Sequence, residues 1–429
     1  MLTSIYILSW CIYIPMLIKK PYILLRPSAW VAIGMMVRVN GAAAFADSIY
    51  TNDLDSELTV RAMPILFVIA IAVWILLTPG LTCLARDYYK KCLLVVQEIT
   101  LSVYDKSVLK IIVVASCFIV GVYLFFAPIQ SSGLVAVFVD PLGATMAREN
   151  SLKLIGFTPI KYGYLWYMEI LAPLLVGMIS LIKTKNRSEL FVKIFIIIII
   201  VLSVMLTGAR TPAGLLMVML SLVYIMKKGF KKGLIVLVSA VTGAVVVATI
   251  MTIFREGASS RLSLQLFWDY LSSGLFVRVF VTPFETGVMT NLYAQENGLL
   301  GISNIRPLAI LFGQQFVHLP NVIGLSYMHT KIISVSANTC FLFDYQASFG
   351  VIPGWYVSLV LLAILDFLLL CYRNLKGRIL IIFMAALLTS SMFLISSAYT
   401  TCLITHGILI IPLMGLLLGD RIKKHKGSQ

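Results

Sequence analysis

The chain has 429 residues, of which 60% are hydrophobic and only 12% charged, with a mean hydropathy of +0.98. Soluble domains carry about a quarter charged residues, so a water-soluble fold, a disordered chain and a disulfide-rich secreted module are excluded. The formal net charge of +16 would point a soluble protein towards nucleic acid. In so apolar a chain it reads as loop charge that sets membrane orientation, and no nucleic-acid partner is expected.

Long apolar runs fall at 2–18, 27–46, 62–84, 108–128, 162–182, 192–208, 212–226, 233–253, 351–371, 379–397 and 401–418. They are unbroken rather than alternating, which predicts membrane helices and not a β-barrel. The predicted fold is therefore an all-α polytopic transmembrane helix bundle of about eleven spans. Basic clusters follow alternate runs: Lys19, Lys20 and Arg26; Arg86, Lys90, Lys91, Lys106 and Lys110; Lys183, Lys185, Arg187 and Lys193; Lys227, Lys228, Lys231 and Lys232; Arg373, Lys376 and Arg378; Arg421, Lys423, Lys424 and Lys426. All six lie on one side if the N-terminus is outside and the C-terminus inside, as cytoplasmic loops require. The weakest run is 27–46, which contains Arg38. No basic segment precedes the first run, so no cleavable signal peptide is expected. The seven cysteines form no CxxC or metal spacing and read as small core residues.

On the opposite side, 47–61 is acidic, 129–161 is of mixed charge, and 254–350 is the largest external loop of a single membrane domain covering 1–429. Within that loop, 262–284 is apolar but interrupted by Asp269 and Arg278. It reads as an interfacial amphipathic helix or a re-entrant pair. A true span there would place the C-terminal basic clusters outside, against the charge rule.

Eleven cations stand apart from the cytoplasmic clusters: Arg38, Arg61, Arg148, Lys153, Lys161, Arg210, Arg255, Arg261, Arg278, Arg306 and Lys331. In the second half of the chain they are mostly arginine, whose planar fork grips phosphate oxygens in pairs and stays charged. That suggests an anionic ligand presented from the lipid, such as a polyprenyl pyrophosphate. Arg210 is the sharpest case. It sits in Thr207-Gly208-Ala209-Arg210-Thr211-Pro212, a tight turn between two runs, where Pro212 can open a helix whose free N–H groups favour an anion. The plain alternative is a snorkelling anchor. Arg255 and Arg278 would extend this into a basic funnel, and Arg306 lies on a loop.

Candidate bases are few. Asp344 precedes a span, and Glu285, Glu296, His318 and His329 are also external, the histidines reading as packed loop residues. Asp366 and His406 lie in spans; a carboxylate there needs a partner, so Asp366 is either a pairing residue or a catalyst. No HExxH, P-loop or serine elbow occurs. Asp53-Leu54-Asp55 reads as an acidic loop, and no metal or other cofactor is expected.

The layout resembles the bacterial O-antigen polymerases, the oligosaccharide repeat-unit polymerases of the Wzy type. Gly208-Ala209-Arg210-Thr211-Pro212 is similar to that family's Gly-x-(Lys/Arg)-x-Pro hairpin. The stretch from Asp344 to Phe349-Gly350 is similar to its acidic-x-x-x-x-Phe-Gly motif, with Asp344 in place of the commoner Glu and Ser348 where Asn or Asp is frequent. Arg148, ahead of Tyr162-Gly163-Tyr164, looks like the basic residue of the first large periplasmic loop, and Arg306-Pro307 is a weaker echo of a Pro/Arg loop motif.

The resemblance implies a metal-independent glycosyltransferase of the bacterial inner membrane, with a periplasmic N-terminus and a cytoplasmic C-terminus. Its donor and acceptor would be undecaprenyl-pyrophosphate-linked oligosaccharides, its surroundings membrane lipids and its partner a chain-length regulator protein. Asp344 is the expected base and Glu285 the second choice, while Arg210, Arg278, Arg255, Arg148 and Arg306 would hold pyrophosphate. An O-antigen ligase would share this layout. A lipid-linked oligosaccharide flippase would instead place charges inside its spans, where this sequence reads as nearly charge-free.

Overall fold

A computed structural model of the chain describes residues 1–49, 58–95, 103–139, 158–207, 211–255, 263–328, 337 and 339–427. Among the described residues every regular element is helical. Seven helices are long and apolar enough to cross a membrane: Leu2–Lys19, Pro27–Phe45, Leu58–Leu77, Asp105–Phe126, Pro159–Leu181, Val351–Tyr372 and Gly377–Ile395. The chain is a multi-pass α-helical membrane protein, as its composition requires.

Three further expected runs form helices at Arg187–Val204, Thr211–Lys228 and Phe230–Arg255. The first starts at Asn186, whose side chain accepts the Glu189 amide at 2.8 Å while the Glu189 carboxylate accepts the Lys185 amide at 2.7 Å, a capping arrangement that fixes the helix start. The run 401–418 is not one helix. It divides into Tyr399–Ile404 and Ile410–Gly427 around Gly407, whose φ of +80° is left-handed. The run 62–84 likewise ends at Leu77, and Pro79 opens a new helix to Val95.

The chain forms two compact units. The first comprises Met1–Arg86, Phe276–Leu370 and Ser391–Ile404. At its centre Arg26 and Asp366 are fully buried, and an Nη of Arg26 stands 2.5 Å from the carboxylate. Arg26 also donates to Thr82 Oγ1 at 2.9 Å and Thr78 Oγ1 at 2.8 Å. The carboxylate accepts in addition from the Ser28 amide at 3.0 Å, the Ser28 hydroxyl at 2.7 Å and Trp74 Nε1 at 3.1 Å. Asp366 is thus the pairing residue, and Arg26 belongs to this buried network rather than to a solvated cytoplasmic cluster.

In the same unit the short helix Phe341–Phe349 turns at Gly350 (φ +96°) into Val351–Phe367. The two helices meet at Gly354, where a Cβ would fall 2.3 Å from the Tyr345 carbonyl oxygen and 2.6 Å from Gln346 Cα. Backbone atoms cannot swing aside, so Gly354→Ala is expected to cost about 1–3 kcal/mol, read as a lowered Tm of the detergent-solubilised protein.

The second unit comprises Asp87–Leu275, Cys371–Ser390 and Thr405–Gln429. Lys193 donates to the Ser180 and Ile182 carbonyls, both at 2.8 Å, which satisfies the open C-terminal end of Ala172–Leu181 with a cation where the helix dipole favours one. Arg378 is buried 3.6 Å from Asp105, so it too serves packing rather than a solvated cluster. Gly177 lets Met219 and Ile382 close on its helix.

Candidate functional site

Asp344 lies in the first turn of Phe341–Phe349, a helix whose residues are buried through Ser348. Its carbonyl oxygen accepts from Asn304 Nδ2 at 3.2 Å and from the Ser348 hydroxyl at 2.8 Å. Its carboxyl group has no hydrogen-bond partner among the described residues, and it is only 7% exposed. Burial pushes its pKa up to about 8, because the charged form loses its water and gains no donor in return. Such a group is an acid at low pH and a base just above neutrality, the range in which proton transfer is most useful.

Other elements of the first unit pack on the helix that carries Asp344 or stand near its N-cap, Cys340. Cys340, one turn earlier, is buried and its thiol is pushed up to about 12 by that burial, with the Arg38 guanidinium near enough to oppose the shift. Arg38 belongs to a wide π-type turn, Met36–Asn40, inside the second apolar helix. Such turns recur at functional sites. Arg38 Nε donates to the Val279 carbonyl at 3.3 Å. Asn40, in the same turn, is fully buried, and neither its amide nitrogen nor its amide oxygen has a partner among the described residues. On the helix Thr282–Asn297, Asn291 Nδ2 donates to Gln346 Oε1 at 3.2 Å, while Gln346 Nε2 has no partner among the described residues. Gly287 admits the Phe343 ring, which would meet a Cβ at 2.3 Å.

The other expected residues are placed as follows. Glu285 is half-buried in the first turn of Thr282–Asn297, where a carboxylate suits the helix dipole. Arg278 is exposed, next to the Val279 carbonyl that Arg38 holds. Arg306 is exposed, with its guanidinium 5.8 Å from the Phe316 ring, which in turn lies 6.0 Å from His318. Arg255 ends the helix Phe230–Arg255, and its side chain lies outside the described residues. Arg210, Arg148 and His329 also fall outside the described residues. Among the described residues no three His, Cys, Asp or Glu side chains converge as metal ligands.

Arg38, Asn40 and Asn291 were not singled out as site residues from sequence. A usable signal existed for the first two, because an arginine and an asparagine two apart inside an apolar run are polar residues in the most expensive place.

Comparison with protein-family models, with curated proteins and with solved structures finds no match to this chain. The class of protein is therefore set by its own physics: a multi-pass helical membrane protein with a buried acid, unpartnered among the described residues, at the start of a short helix.

Proposed function

We propose that the chain is a membrane glycosyltransferase that polymerises undecaprenyl-pyrophosphate-linked oligosaccharide repeat units at the periplasmic face of the bacterial inner membrane. The carrying observation is Asp344, a buried carboxyl without a partner among the described residues, at the head of the stretch from Asp344 to Gly350. The acceptor hydroxyl attacks the anomeric carbon of the donor sugar, the bond to the pyrophosphate oxygen breaks, and Asp344 takes the hydroxyl proton. Undecaprenyl pyrophosphate leaves with the bonding electrons. Its growing negative charge calls for preorganised cations, the role proposed for Arg210 with Arg278 or Arg255. In this reading the chain crosses the membrane eleven times, begins in the periplasm and ends in the cytoplasm, carries the 254–350 loop outside and works beside a chain-length regulator.

The test is the size profile of surface and lipid-linked glycan in a strain lacking the gene, with and without complementation. Lipid core capped by a single repeat unit, with long chains restored by the gene, is the expected result. Uncapped core with long chains retained on undecaprenyl pyrophosphate would make the protein a ligase. Single units trapped on the cytoplasmic side would make it a flippase. Within the polymerase reading, Arg210→Lys keeps the charge but loses the bidentate fork, so shorter chains are expected at unchanged protein level; chains of normal length would return Arg210 to the role of an interfacial anchor.

A further inference from the structure

One end of the second unit gathers cations from four segments. Gly177, Met219 and Ile382 meet inside this unit, and each of their helices carries a cation onward from that meeting point. The chain of Ala172–Leu181 runs on from Gly177 to Lys183. Thr211–Lys228 runs on from Met219 to Lys227 and Lys228, and in Gly377–Ser391 Arg378 lies one turn before Ile382. A fourth helix, Arg187–Val204, brings Lys193, whose ammonium donates to the Ser180 and Ile182 carbonyls, both at 2.8 Å. The Lys227 ammonium lies within electrostatic reach of Lys228, Arg378 and Lys183, and Lys193 lies within reach of Lys227.

Little negative charge answers these groups. Asp105 stands 3.6 Å from Arg378, but among the described residues no carboxylate pairs with Lys183, Lys227 or Lys228. Lysines in the last turn of a helix suit its dipole, which accounts for Lys227 and Lys228 but not for the approach of Lys183 and Arg378 from other segments. Burial first, and repulsion by these neighbours second, hold the Lys227 ammonium below the usual lysine range. An anion shared among the cations relieves that repulsion. The helix that carries Lys193 indicates what kind of anion, because Leu190, Phe191, Ile194 and Phe195 on it expose apolar side chains, a surface suited to acyl chains. A phosphate joined to acyl chains matches both features.

We propose that Lys183, Lys227 and Lys228, with Arg378 as their neighbour, form a binding site for the phosphate of an anionic phospholipid whose acyl chains lie along Arg187–Val204. Each lysine ammonium offers three donors and a compact charge. Lys183 and Lys228 are exposed and Lys227 is half-buried, so a headgroup can reach all three. The bound phosphate replaces repulsion among the lysines by attraction to a common anion. It thereby ties the ends of Ala172–Leu181, Thr211–Lys228 and Gly377–Ser391 together. The site does not rest on the glycosyl-transfer reading.

The test measures the Tm of the full chain in detergent micelles doped with phosphatidylglycerol, or with the same amount of phosphatidylcholine, whose choline cancels the phosphate charge. Phosphatidylglycerol is expected to raise the wild-type Tm by about 2 °C or more over phosphatidylcholine. Changing Lys183, Lys227 and Lys228 together to Gln should abolish that difference and leave the Tm in phosphatidylcholine unchanged or higher. Changing Lys423, Lys424 and Lys426 to Gln removes the same charge from the C-terminal segment and should keep the difference. Should the first triple variant fail to fold, Lys228→Gln alone, at an exposed side chain, should reduce it. Equal wild-type Tm in the two lipids would overturn the proposal, as would equal loss of the difference in both triple variants, which is general attraction to a charged surface. A first triple variant destabilised equally in both lipids would make these lysines packing groups. Inorganic phosphate reproducing the rise without lipid would make the ligand a soluble anion, and either result would also overturn the lipid assignment.

Discussion

Asp366→Ala is expected to remove most of the folded protein. The carboxylate is fully buried, and it neutralises a guanidinium that is also fully buried. Without it, Arg26 keeps its bonds to Thr78, Thr82 and the Ile75 carbonyl, but none of these carries a negative charge. An uncompensated buried charge costs about 3–5 kcal/mol, a large share of the roughly 5–15 kcal/mol that holds a typical protein folded. Ser28 and Trp74 would lose their acceptor as well. The Tm and the monodisperse yield in detergent should both collapse. The double variant Arg26→Met with Asp366→Leu removes both charges and should recover a substantial part of the loss, because a buried ion pair replaced by apolar side chains of similar size is often close to neutral. If the single and double variants are equally damaging, the network acts through its hydrogen bonds to Ser28, Thr78 and Thr82 rather than through charge compensation.

This pair also shows what a single sequence can and cannot reveal. That Asp366 needs a partner follows from its place in an apolar run. Which partner it takes does not follow, because Arg26 is 340 positions away along the chain and charge counting assigned it to a cytoplasmic cluster. Helices at Arg187–Val204, Thr211–Lys228 and Phe230–Arg255 were legible because hydrophobic length alone defines them. The break at His406-Gly407 was not, because a left-handed glycine pressed against Ile170 leaves hydropathy unchanged. Glu169 and His406 stand in plain view in the runs 162–182 and 401–418; that the two meet is a matter of packing, which hydropathy does not encode. Asp344 was legible as an acid just before a span; that no donor among the described residues reaches its carboxyl is a property of packing, which no spacing rule encodes.

That isolation makes Asp344→Asn move stability and turnover in opposite directions. With a folded-state pKa of about 8 against an ordinary value of 3.8, the group is protonated in the folded chain and ionised in the unfolded chain throughout the interval between them. The unfolded state then binds fewer protons, so folding stability falls as pH rises from about 4 to about 8 and levels off above that. At pH 7 the penalty is of order 4 kcal/mol. Asparagine cannot ionise, so Asp344→Asn should raise the Tm at neutral and alkaline pH, leave it nearly unchanged near pH 4, and flatten its pH dependence. Under the proposed glycosyl transfer, turnover should respond the other way. The base form of Asp344 grows as pH rises towards about 8, so the wild-type rate should climb to a plateau above that value. Asp344→Asn should lose about 100-fold or more in rate, with protein level maintained. Polymer formation at the wild-type rate by the more stable variant would remove Asp344 from the chemistry and leave Glu285 as the base to test. A variant that is both inactive and less stable would mean that the carboxyl is held by a donor supplied from outside the described residues, and that its buried position is structural.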